Sequence, residues 1–219
     1  NRNARRKSPA DLLWSWKIFK DKVIQDGKDF NCTLLLHTDP NDAEGPNLFS
    51  TVEYLGISDN IVFSTDRVDF EKMNAIHNIS DACIQISFAE GFGLSTLESM
   101  QAGNPIIAVT TGGLTRQVID HRDGHENGVA IKPDFQTLVG SQTVPYIFED
   151  YATHESISNA MLKLYEMGPN KRSELGARAR EYVLSEFSYD DTIDAWHKTL
   201  TDLHNTWKDT YKPWTVKEL

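Results

Sequence analysis

Five short apolar runs, at 32–37, 61–63, 82–86, 105–109 and 129–131, alternate with stretches of helical spacing, and this alternation restricts the fold more than any other feature of the chain. Several of the runs are almost unbroken in Val, Ile and Leu, as strands covered on both faces must be. Between them, apolar residues recur every three or four positions around Leu48–Leu55, 70–79, 94–102 and, briefly, 114–119. Strand followed by helix followed by strand gives an α/β fold, a Rossmann-like parallel sheet with helices on both faces. A first helix is predicted from Ser8, which can cap it, with Pro9 at the first helical position and Asp11 three residues after the cap. Leu12, Leu13, Trp16, Phe19 and Val23 carry its periodicity until Gly27. Beyond Pro133 the pattern loosens, and 136–150 is expected to be irregular. Three helices then end the chain, at about 155–168, 171–187 and 189–207. No internal repeat is visible. The expectation is a single domain over 1–219, with a core over 1–188 and a C-terminal helix and tail over 189–219.

A doubly wound sheet normally opens with a strand, yet a helix begins here within the first ten residues. The expectation is therefore that an opening strand, and a domain ahead of it, lie outside this sequence.

Composition excludes several function classes. Apolar residues make up 39 % and charged residues 25 %, without a low-complexity tract, which is the profile of a soluble globular chain. No run approaches the ~20 apolar residues of a membrane helix. The basic N-terminus lacks the apolar segment of a secretory signal, so a cytoplasmic protein is expected. A formal charge of −10 argues against nucleic acid as a partner. An anionic ligand would have to be met locally, and four of the 22 basic side chains, Arg2, Arg5, Arg6 and Lys7, fall in the first seven residues. Cys32 and Cys83 lie in apolar runs and are expected as core thiols rather than a disulfide.

Ligands of parallel sheets sit at the carboxyl ends of the strands. The richest loop in that position runs from Ser87 to Glu98. Gly91 and Gly93 let backbone approach a ligand, and the helix that starts beyond them offers free N–H groups to phosphate oxygens. Glu90 in the loop and Glu98 about one turn into the helix can share one crevice, where carboxylates suit sugar hydroxyls better than phosphate. A dinucleotide-binding reading of Gly91 and Gly93 fails, because no acid ends the next strand over 108–112.

The stretch from Glu90 to Ala108, EGFGLSTLESMQAGNPIIA, resembles the signature of retaining GT-B glycosyltransferases of the family-four type, with seven residues between its two glutamates. Arg2 and Lys7 have the R-x4-K spacing of that family, Gly112-Gly113 stands where its Gly-Gly does, and the tail from Arg172 to Tyr189 is similar to its closing helices. The resemblance implies the donor-binding half of an enzyme that transfers a hexose from a nucleoside diphosphate to an acceptor hydroxyl with retention. It implies that Glu98 holds the ribose, that Glu90 contacts the transferred sugar with the backbone of Gly91, Phe92, Gly93 and Leu94, and that Gly113 lines the donor site. It further implies that Arg2 and Lys7 neutralise the leaving diphosphate, and that Thr65, Asp66, Arg67 and Val68 line the base pocket.

The donor would be a UDP-, GDP- or ADP-linked sugar. The acceptor, a glycan, lipid or protein, would be met by an acceptor-binding domain absent from this sequence, through which a membrane could also be approached. No cofactor and no metal are expected, since no Asp-x-Asp pair occurs. Thr65, His77 and Ile86 depart from residues common in the family (glycine, tyrosine and proline). A non-catalytic sugar-nucleotide-binding module and a related sugar-nucleotide epimerase remain as alternatives. Arg5 and Arg6 are expected to be solvated, His121 and His125 to be loop residues rather than metal ligands, and Trp196, Trp207 and Trp214 to be packing residues.

Overall fold

The computed structural model describes residues 1–215. Each expected helix forms, with ends shifted by a few residues: α1 Pro9–Gln25, α2 Leu48–Leu55, α3 Phe70–Asn78, α4 Leu94–Gln101, α5 Gly113–Val118, α6 His154–Glu166, α7 Gly168–Glu186 and α8 Tyr189–Thr210. The five apolar runs become β1 Leu34–His37, β2 Ile61–Ser64, β3 Cys83–Gln85, β4 Ile106–Val109 and β5 Gly128–Ile131. β1 pairs with β2 in parallel, Leu34 opposite Ile61, while β3, β4 and β5 form a second parallel group with Ile106 opposite Gly128. The two groups are not hydrogen-bonded to each other.

The period-2 alternation of β4 divides the core. Ile107 and Val109 point into a cluster with Leu13, Trp16 and Phe19 of α1 and Ile157 and Leu164 of α6. Ile106 and Ala108 point the other way, onto Met100 of α4, Leu114 of α5 and Tyr182 of α7. All four β4 residues are therefore buried, which is why the run carries no polar residue. A fully buried Leu or Ile of this kind stabilises the fold by about 1.5–3 kcal/mol.

Three local expectations are corrected. Ser8 does precede α1, but with φ 51° and no side-chain hydrogen bond to the helix. Asp11 turns instead to His154, 2.9 Å away, tying α1 to the start of α6. The segment over 136–150 is irregular only over 139–147, because β6 Phe135–Leu138 and β7 Phe148–Tyr151 form an antiparallel hairpin around it with Phe135 opposite Tyr151. Trp196, Trp207 and Trp214 do not pack into the core. They are 61 %, 53 % and 96 % exposed, and α8 has no buried residue. Cys32 and Cys83 are both free, and burial pushes the Cys83 thiol up to about 11. Among the described residues, no helix is long and apolar enough to cross a membrane.

Candidate functional site

The carboxyl ends of β3 and β4 open into one crevice, walled by the loop that leads into α4 and the turn that leads into α5. The two walls touch through backbone. Gly113 N donates to Glu90 O at 3.1 Å. Gly112, at φ +48°, approaches so closely that a Cβ there would lie 1.9 Å from Glu90 O. Gly93 has φ +94° and serves as the N-cap of α4 without any capping side chain. The first N–H groups of α4 are thereby left for a ligand or water, at the end of the helix that favours negative charge. The loop itself is braced from below. Gln117 Nε2 donates to Phe92 O at 2.7 Å, and the Thr96 hydroxyl lies 2.6 Å from Gln117 Oε1. Phe92 meets Phe187 edge-on at 5.7 Å, while Leu94 is exposed at the mouth.

Charge converges on Glu90. The Lys7 ammonium contacts Glu90 Oε2, and Arg6 Nη1 reaches the same oxygen at 3.2 Å and Ala89 O at 2.9 Å. Burial pushes the Glu90 carboxyl up, but the hydrogen bond and charge of Lys7, aided by Arg6, outweigh it and hold the group below the usual carboxylate range. The basic segment is anchored here by main chain as well, since Phe88 N donates to Arg6 O at 3.0 Å.

Arg5 and Arg6 are solvent-exposed, as expected, yet each also holds a carboxylate. Arg5 pairs with the buried Glu149 of β7 and stands over the Phe88 ring, 5.9 Å from its centre. Both arginines are held because the hairpin and the β3 loop bring carboxylates to them.

Arg2 is placed elsewhere. Its guanidinium binds Asp42 through two hydrogen bonds, at 2.7 and 3.1 Å, and Glu44 at 3.1 Å. Of the two expected diphosphate ligands, Lys7 alone is brought to Glu90. Glu98 lies on α4 with one oxygen 3.5 Å from His77 Nε2. It borders a cavity of about 770 Å³ together with Ser95, whereas Glu90, Gly91, Gly112 and Arg6 border a separate one of about 490 Å³. Lys7 lines the first cavity while its ammonium sits on the carboxylate of the second. Thr65, Asp66 and Arg67 are exposed and Val68 is half-buried, in the loop after β2 and outside both cavities.

Two residues that sequence reasoning did not single out also wall the smaller cavity. The Thr111 hydroxyl donates to Asp150 Oδ2 at 2.7 Å, and Gln136 Nε2 donates to Asp150 Oδ1 at 2.8 Å. The partners Thr111 and Asp150 are 39 positions apart, and only the unforeseen hairpin brings them together. No local spacing could have signalled it. His121 faces the Tyr182 hydroxyl at 3.4 Å, and His125 faces Asp123 at 3.5 Å.

Residues 43–140, which include Glu90, Glu98 and Gly112-Gly113 but not the basic segment, match the family model for glycosyl transferases group 1. Among curated proteins, trehalose synthase of Pyrococcus horikoshii is 28 % identical over 120 residues, 55 % of this chain and 23 % of its own length. A D-inositol 3-phosphate glycosyltransferase of Stackebrandtia nassauensis is 30 % identical over 155 residues, 70 % of this chain and 29 % of its own. The chain thus spans about a quarter of the length of the curated relatives it matches.

Among solved structures, sucrose-phosphate synthase from Thermosynechococcus elongatus superimposes with a TM-score of 0.70 at 22 % identity, over 94 % of this chain and 44 % of the other. Anabaena HepE in complex with UDP-glucose gives 0.68 at 14 %, over 93 % and 47 %. The C-terminal domain of a glycosyl transferase group 1 family protein from Francisella tularensis gives 0.62 at 17 %, over 86 % and 83 %. The fold is the one these structures share, an α/β arrangement of parallel strands and helices that ends in helices.

Proposed function

We propose that this chain is the donor-binding lobe of a retaining, metal-independent hexosyltransferase that uses a nucleoside diphosphate sugar. One observation carries the reading. In a chain of formal charge −10, Lys7 and Arg6 are focused on the Glu90 carboxylate, next to an uncapped helix N-terminus and two interlocked glycine turns. Carboxylate, ammonium and free N–H groups in one crevice match a ligand that carries both sugar hydroxyls and a diphosphate.

When donor enters, its diphosphate takes over the Lys7 ammonium and the first turn of α4, and Glu90 turns from Lys7 to the hexose hydroxyls. Glu98 accepts from the ribose hydroxyls. Arg2 reaches the diphosphate only by exchanging Asp42 and Glu44 for phosphate oxygens. In the transfer, the bond from the anomeric carbon to the phosphate oxygen breaks and its electron pair leaves with the diphosphate. The acceptor oxygen attacks from the same face and gives its proton to the departing phosphate. Lys7 and the α4 N–H groups stabilise the charge that develops there, an electrostatic contribution. HepE, a fold neighbour, has been solved with UDP-glucose, so UDP-glucose is the first donor to try.

The test is calorimetric titration with UDP-, GDP- and ADP-glucose, each with and without EDTA. Binding of at least one donor, unchanged by EDTA, is expected. A loss of about tenfold or more in affinity with EDTA would show that a cation carries the diphosphate and that Lys7 does not suffice.

A further inference from the structure

The smaller cavity has a third wall, formed by the hairpin. Besides the α4 loop and the α5 turn, Phe148 and Asp150 of β7 border its space of about 490 Å³, a volume within the roughly 300–1,000 Å³ of small-molecule sites. β7 lies beyond residue 140, where the match to the family model ends.

Alternation along β7 gives its two faces different tasks. Glu149 and Tyr151 fasten the hairpin. Glu149 is buried against Arg5, and the Tyr151 hydroxyl donates to Glu149 Oε2 at 2.5 Å. The Tyr151 ring packs on those of Phe88, at 4.1 Å, and Phe135, at 5.1 Å. Main chain adds a bond from Asp150 N to Phe88 O at 2.8 Å, so the hairpin is fixed to the loop that carries Glu90. Phe148 and Asp150 belong to the other face, and that face borders the cavity.

The Asp150 carboxylate is held there without being used up. One donor reaches each oxygen, the Thr111 hydroxyl at Oδ2 and Gln136 Nε2 at Oδ1. A carboxylate has about four lone-pair sites, so each oxygen keeps one for an incoming hydroxyl. Phe148 is 53 % exposed and leaves an apolar surface open at the edge of the cavity. A pyranose ring, with apolar C–H faces and a rim of hydroxyls, matches an open aromatic ring beside a fixed carboxylate. A diphosphate does not, because the carboxylate repels it.

We propose that the β6–β7 hairpin is the specificity wall for the transferred hexose. Phe148 lies against a C–H face of the ring and Asp150 accepts from its hydroxyls, while Thr111 and Gln136 act as positioning residues. The proposal rests on the donor-binding function proposed for this chain and adds to Glu90 a second carboxylate on a separate element. Two carboxylates fixed on separate elements read different hydroxyls, and a site built to bond a hydroxyl rejects the sugar that lacks it.

The experiment is calorimetry on the 219-residue chain and on Phe148→Ala, Asp150→Asn and, as a control on the far end of the hairpin, Tyr146→Ala. The ligands are UDP-glucose, UDP-galactose, UDP-N-acetylglucosamine, GDP-mannose and ADP-glucose, each set against its own nucleoside diphosphate. For the sugar nucleotide that the parent binds best, Phe148→Ala should weaken binding by about 3- to 10-fold and Asp150→Asn by about tenfold or more. Both should hold the bare diphosphate within about twofold of the parent, or more tightly, and Tyr146→Ala should match the parent throughout. Melting temperatures accompany each titration, and the exposure of Phe148 keeps its truncation from unfolding the domain.

A parent chain that binds none of the sugar nucleotides would overturn the donor-binding function and this proposal with it. A parent that binds one, while Phe148→Ala and Asp150→Asn bind it equally well, would overturn the proposal alone, and a wall that serves the acceptor would give that result. Equal loss of sugar nucleotide and bare diphosphate in both variants would also overturn it, since the wall would then act on the phosphates or on the fold.

Discussion

At Glu90 and Glu98 the same functional group sits in two different electrostatic settings, and the settings separate their consequences. Glu98 has His77 beside it, at 3.5 Å, and is partly exposed, so it can accept from a ligand. A hydrogen bond to a charged group contributes about 1.5–3 kcal/mol. Glu98→Ala should therefore weaken nucleoside diphosphate and sugar nucleotide alike, by about 10- to 100-fold. Glu90 instead occupies Lys7 and Arg6, so Glu90→Ala should release both cations. Bare nucleoside diphosphate should then bind as well as before or more tightly, while intact donor weakens and transfer in a complete enzyme falls further. Calorimetry with both ligands on both variants decides it, and equal loss of the bare diphosphate would refute the assignment.

Gly112 belongs to the same scale. Its φ of +48° and the 1.9 Å approach to Glu90 O leave no room for a methyl group. Gly112→Ala should cost about 2–4 kcal/mol by urea unfolding, through strain and the forced separation of the two turns.

Individual elements differ in how far the sequence discloses them, and the difference is one of burial. β4 is legible because both of its faces are covered, which forbids polar residues over Ile106–Val109. β6 was missed for the opposite reason. All four residues of Phe135–Leu138 are exposed, so no face imposed a pattern and only the partner strand defines the element. The glycine turns and the carboxylates of the α4 loop were visible as local spacing. The pairs Arg5–Glu149 and Arg6–Glu90 were not, since they join residues 144 and 84 positions apart.

α8 was legible as a helix, but its exposure was not, because an amphipathic stripe looks the same whether covered or bare. The contrast with α7 can be measured. Tyr182 is 1 % exposed and its hydroxyl donates to Arg116 O at 2.6 Å, so Tyr182→Phe should cost about 1 kcal/mol. Trp196→Ala and Leu200→Ala on α8 should each stay within about 0.5 kcal/mol of the parent. A larger loss at either would show that α8 packs on the domain.

For the molecule as a whole, an excess of acid is tolerable because many of the carboxylates are engaged. Hydrogen bonds from Arg122 hold Asp120 at about 2, and Arg5 lowers Glu149. Arg2 lowers Asp42, and backbone N–H donors lower Asp123 and Asp134. With Glu90, these are groups whose folded-state pKa lies below the unfolded value. Each contributes stability that is present above about pH 4 and is lost as the pH falls through the folded value.

His37 acts in the same direction at higher pH. Burial lowers its pKa, so the unfolded chain takes up a proton near pH 6.5 before the folded one does. In every case the unfolded state binds more protons, and stability must fall as pH falls. Most of these groups are partly exposed and screened, so each adds a modest amount, and the size of the effect comes from their number. Urea midpoints at pH 7, 5 and 3 should decline slightly over the first interval and steeply over the second. Arg122→Ala should flatten part of the low-pH limb, because Asp120 then loses the guanidinium and keeps the backbone hydrogen bond from position 122. A midpoint constant from pH 7 to 3 would mean that these ion pairs contribute nothing to the folded state.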